Sequence, residues 1–169
     1  MKTGQTEAKR RTNPWLFALS TGFFGGILWG GLRIVFHYLK FTSIVPGFLI
    51  EPWFHHPFLE QAAGYLAGWL SFVVFSMAAA LLYALALRNL KGPWPGIAYG
   101  AAWWLILFAL AGPAAGITPE LGRLNADTIT SEACLFVLWG LFIGYTISYE
   151  FTEERPDAGR EGPGGADKK

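Results

Sequence analysis

Residues 62–87 read AAGYLAGWLSFVVFSMAAALLYALAL, and this stretch decides the fold. It contains no Asp, Glu, Lys, Arg or His. A helix needs roughly 20 mainly apolar residues to cross about 30 Å of hydrocarbon. A helix at the surface of a soluble domain keeps a charged or polar stripe. This one has none, so the stretch predicts a transmembrane helix.

Working outward, three further segments fit a bilayer. Residues 15–39 are apolar apart from Arg33, His37 and a few hydroxyls. Residues 97–117 form a third span, short unless the helix continues through a kink at Pro113. Residues 132–149 form a fourth, with Glu132 at its entrance and Ser131 as its N-cap. The expected fold is an all-α membrane protein, a four-transmembrane-helix bundle over 15–151. An N-terminal tail (1–14) and a C-terminal tail (152–169) flank it. Only 15% of residues are charged, against about 25% in soluble domains. The formal net charge of +1 gives no field that would select nucleic acid. Lys9, Arg10 and Arg11 precede the first span as in a signal peptide. Its apolar run is too long, however, and no small-x-small site follows it.

Lysine and arginine in short flanks set orientation. Lys2, Lys9, Arg10 and Arg11 precede span one, and Arg88 and Lys91 lie between spans two and three. Lys40 and Arg123 stand alone in the other two loops. The bias predicts an N-in/C-in protein of the cell membrane, both termini cytoplasmic. Trp15, Trp53, Trp94 and Tyr149 fall where spans should meet headgroups. Residues 152–169 have almost no apolar content and read as disordered.

Glycines recur at four-residue steps: Gly22, Gly26 and Gly30; Gly64 and Gly68; Gly96 and Gly100; Gly140 and Gly144. Four residues return to one face of a helix. In lipid, small residues let backbones approach and gain dispersion. The ladders predict helix packing within one bundle, with a homodimer through span one as the rival reading.

Arg33, His37 and Lys40 share one face of span one. The bland reading of Arg33 is snorkelling to headgroups. The sharper reading is a polar intramembrane cluster of Arg33, His37 and Glu132 facing the bundle interior. The 41–60 loop is aromatic but broken by Pro46, Gly47, Pro52 and Pro57, so it cannot be one helix. Pro57 suits the first turn of span two. His55, His56 and Glu60 are weak metal candidates, because no metal-ligand spacing such as HExxH is present. Cys134 is the single cysteine, without partners for a disulfide or redox motif. No Walker loop, GxSxG elbow or dinucleotide fingerprint occurs. The expectation is no catalysis, no cofactor and no bound metal.

Several runs together resemble a known family. They are Thr21-Gly22-Phe23-Phe24-Gly25-Gly26, Phe41-Thr42-Ser43-Ile44-Val45-Pro46 and Glu51-Pro52-Trp53. Further along come Ala79-Ala80-Leu81-Leu82-Tyr83-Ala84, Trp94-Pro95-Gly96-Ile97-Ala98-Tyr99-Gly100 and Leu124-Asn125-Ala126-Asp127-Thr128-Ile129-Thr130. Gly140-Leu141-Phe142-Ile143-Gly144-Tyr145-Thr146-Ile147-Ser148-Tyr149-Glu150 closes the set. Over about 14–151 the chain is similar to the YqhR-type conserved membrane proteins of spore-forming Gram-positive bacteria. The resemblance implies four spans in the cytoplasmic membrane and brings no activity or site residues with it.

Two function classes follow. A structural or accessory protein would act through contacts with the lipid bilayer, other membrane proteins or copies of itself. A transporter or channel component would work as an oligomer, with Arg33, His37 and Glu132 lining a path.

Overall fold

A computed structural model describes residues 13–87, 90 and 92–153. Lys2, Lys9, Arg10, Arg11, Arg88 and Lys91, which carry the orientation argument, lie outside the described residues, as does the tail from 154 onward. The described residues are helical or irregular, with no strand among them. Helix α1 spans Pro14–Tyr38, α2 His56–Leu59, α3 Ala62–Ala86, α4 Trp94–Leu105, α5 Ala111–Ala115 and α6 Ala126–Glu153. Three helices (Pro14–Tyr38, Ala62–Ala86 and Ala126–Glu150) are long and apolar enough to cross a membrane, and Trp94–Leu110 is apolar but shorter.

Local chemistry explains the helix starts. The Asn13 side chain accepts from the Trp15 N–H at 3.1 Å and Pro14 opens α1, a favourable pairing of N-cap and first-turn proline. Helix α6 begins at Ala126, well before the expected 132, because the Asn125 carbonyl already accepts from Ile129 at 3.1 Å. Asp127 in the first turn suits the positive end of the helix dipole. Ser131 is therefore inside the helix and not its cap, and helix continues to Glu153 beyond the expected 149.

The third apolar segment departs most from expectation. Its irregularity is not a kink at Pro113 but a π-helical segment at Ile106–Leu110 between α4 and α5. Proline clashes with the carbonyl four residues back and cannot bond to it. The wider π turn takes up that conflict upstream of Pro113. Thr118 Oγ1 donates to the Leu107 carbonyl at 2.9 Å, supplying a donor to a group inside the irregular stretch. Gly112 is needed here, since a methyl on it would overlap that same carbonyl.

The chain forms two hairpins. In the first, α1 packs antiparallel on α3. A methyl added at Gly22 or Gly26 would sit 2.6 Å from the Cα of Met77 or Val73, and one at Gly30 2.5 Å from the Trp69 ring. The span-one ladder is thus covered by α3 of the same chain. In the second hairpin α4 packs on α6 glycine against glycine. A methyl on Gly96 would lie 2.8 Å from the Gly140 carbonyl, and one on Gly100 3.0 Å from the Val137 Cα. Gly140 and Gly144 meet Gly100 and Gly96 in return. Gly64 and Gly68 do something other than helix packing: Gly64 faces the backbone of Phe58 and Leu59, and Gly68 that of Pro46 and Gly47. They let the connecting loop lie on α3.

Helix α6 joins the hairpins by packing on α1 and, less extensively, on α3. The Trp139 ring is fully buried and lies 5.6 Å from Phe75 and 5.8 Å from Phe136. Its Nε1 donates to Ser76 Oγ at 2.9 Å, so the buried indole keeps a partner. Tyr99 closes the remaining side, donating to the Ala79 carbonyl at 2.7 Å. Large apolar side chains such as Leu70, Val74, Leu85 and Phe24 point outward. That inverts a soluble surface and suits lipid.

Candidate functional site

The connection between α1 and α3 folds back over one end of the bundle, here termed the cap end. Helix α1 terminates in a Schellman turn, with Phe41 N–H donating to the Phe36 carbonyl at 2.9 Å and Lys40 N–H to His37 at 3.1 Å. The chain then reverses inward and buries Thr42, Ile44, Val45 and Phe48. A 3-10 turn at Phe48–Ile50 and α2 complete the cap. Pro57 belongs to α2 and not to the first turn of α3, because Gln61 is extended and separates the two.

This reversal encloses a buried ion pair. Arg33 of α1 and Glu132 of α6 retain 3% and 0% exposure. Nη1 lies 2.7 Å from Oε2 as an ionic contact, and Nη2 donates to Oε1 at 3.1 Å. Thr42 Oγ1 donates to the same Oε1 at 2.7 Å and accepts from the Ile44 N–H at 3.2 Å. Ser43 N–H donates to Thr128 Oγ1 at 3.1 Å, one turn before Glu132 on α6. The guanidinium lies 4.3 Å from the Phe48 ring centroid and 5.8 Å from those of Phe72 and Phe136. The rings face a delocalised cation favourably and exclude water. Each charge is therefore met by the other, and the carboxylate by a hydroxyl as well. Arg33 Nε has no hydrogen-bond partner among the described residues.

The structure brings together Arg33 and Glu132 but leaves His37 outside. His37 is one turn further along α1, half-buried, with its ring 5.7 Å from Tyr65. Arg33 is not snorkelling. It turns inward to the Glu132 carboxylate, which supplies its countercharge within the bundle. Thr42, Thr128 and Phe48 were not singled out from sequence. Thr128 and Glu132 stand four apart on α6, a spacing that could have marked it. Nothing periodic marks Thr42.

Of the metal candidates His55, His56 and Glu60, the structure brings His56 and Glu60 into contact. His56 Nδ1 lies 2.8 Å from Glu51 Oε1 and its Nε2 3.6 Å from Glu60 Oε1. The carboxylates thus occupy opposite edges of one ring. No cluster of three or more His, Cys, Asp or Glu able to hold a metal occurs among the described residues.

Comparison with known proteins agrees with the membrane reading. The family described as "Conserved membrane protein YqhR" matches residues 1–161. A Bacillus subtilis (strain 168) protein recorded as "Uncharacterized protein YqhR" is 35% identical over 134 residues, covering 79% of this chain and 75% of that one. No solved structure matches.

Proposed function

The chain belongs to the YqhR family of conserved membrane proteins, and from that premise we propose that it is a four-span, N-in/C-in protein of the cell membrane with a structural or accessory role. The α4–π–α5 segment (94–115) serves as the third span. At the helical rise its length is about 33 Å, enough for the hydrocarbon layer. The cap end then faces outward. The protein works through contacts of its lipid-facing surface with other membrane proteins and carries out no catalysis.

The observation that supports this reading is the sealed Arg33–Glu132 pair. Charges on a permeation path need water or passing ions beside them. These two instead have each other, Thr42 and three aromatic rings. Such a pair favours a bolt between hairpins over a gate.

The test is native mass spectrometry of tagged protein extracted from its own host in mild detergent, paired with ion-flux assays on reconstituted vesicles. Stoichiometric co-purifying membrane subunits and silent vesicles are the expected result. A self-contained oligomer that conducts would replace this reading with the conduit one.

A further inference from the structure

Two helices end at the cap end in the same turn. Helix α5 uses Gly116 at φ 69°, with Ile117 N–H bonded to the Gly112 carbonyl at 2.8 Å. Helix α1 uses Lys40 at φ 64°, the one non-glycine with positive φ among the described residues. Glycine occupies this conformation without steric conflict and a lysine does not. The lysine therefore brings something that glycine at the same site would not. Its ammonium stands at the negative end of the α1 dipole, exposed, at the border of the apolar helix.

The exposed residues of the cap are also unlike those of a solvated loop. Tyr38 is 83% exposed and Trp53 74%, with Phe41 and Phe54 about half exposed. Tyr38 continues the outward apolar face of α1 formed by Phe24, Leu28 and Val35. The loop's backbone is bonded within itself, Ile50 to Gly47, Trp53 to Ile50 and Phe58 to His55, so it tolerates a partly dehydrated layer. Its carboxylates, Glu51 and Glu60, are engaged by His56. Exposed tyrosine, tryptophan and lysine on one cap are the chemistry of the bilayer interface.

We propose that the cap of the first hairpin docks into the phospholipid headgroup layer, with Lys40 contacting lipid phosphate and Trp53 seated at the level of the glycerol backbone. This rests on α1 and α3 being membrane spans.

Two measurements test it. In a Cys134→Ser background, nitroxides are placed by Trp53→Cys and, as a depth reference, Leu70→Cys on the outward face of α3. Oxygen and nickel-chelate accessibility are then read in phospholipid vesicles. The expected result is a deep label at 70 and a shallow, nickel-shielded one at 53. A label at 53 as accessible as free nitroxide in buffer, with 70 deep, overturns the docking and leaves the spans intact. Two water-exposed labels overturn the membrane reading itself.

The second measurement is Lys40→Gly. In phosphate-free maltoside micelles, relief of the left-handed lysine should raise Tm by about 2–4 °C. In phosphatidylglycerol–phosphatidylethanolamine nanodiscs the gain should shrink or reverse, because the variant forfeits the phosphate contact. An equal gain in both environments overturns the role given to Lys40.

Discussion

Arg33 and Glu132 are 99 residues apart in sequence, yet their side chains meet at 2.7 and 3.1 Å in a site with almost no solvent exposure. One belongs to the first hairpin and the other to the second. A buried pair contributes little net stability, because desolvation offsets the Coulombic gain. What it contributes is register. Slippage of α1 against α6 would leave one charge buried and alone. The pair thus complements the glycine contacts, most of which lie within one hairpin or the other.

Thr42→Val should destabilise by about 1–2 kcal/mol, since the Glu132 carboxylate loses its hydroxyl donor while staying buried. Thr42→Ser should be close to neutral. Thermal unfolding in one detergent compares the two, and equal losses would refute the hydroxyl's role.

Gly140→Leu should disrupt the second hairpin, because the added side chain meets the Gly100 backbone and the Gly96 carbonyl. Overpacking of this kind costs at least about 1–3 kcal/mol. Gly122→Leu, with open space around it, should stay within about 0.5 kcal/mol. Monodispersity on size exclusion and Tm report both.

Thr118→Val should remove the donor to the Leu107 carbonyl and destabilise by about 1 kcal/mol. The loss should appear as faster amide exchange in 106–112 and not in α1 or α3. Uniform exchange changes would contradict a local role.

Zinc should not raise Tm. Glu51 and Glu60 approach opposite nitrogens of His56, so they present no shared site, and a ligand that binds only the native state would stabilise it. A concentration-dependent rise lost in His56→Ala would contradict this.

The helices were legible in the sequence because lipid imposes a simple demand. Each span must be long, apolar and internally bonded, and 62–87 meets it without exception. The glycine steps likewise pointed to close packing, since a four-residue period fixes a face. Their partners were not legible. Gly64 and Gly68 share the spacing of Gly22 and Gly26 but receive a loop, a choice made by how 46–59 folds. The Arg33–Glu132 meeting was expected only as one of two readings. The deciding contacts came from Thr42 and Phe48, in a loop with no periodicity. The π segment was missed because Pro113 marks where a helix is disturbed, whereas the distortion falls upstream, where the clash is relieved.

The most direct measurement is a double-mutant cycle on the buried pair in phospholipid nanodiscs, using Arg33→Met, Glu132→Met and the double variant. Each single change strands a buried charge and should destabilise by about 3–5 kcal/mol, and the double variant should recover most of that loss. Additive losses, with the double variant worse than either single one, would contradict the interhairpin bolt.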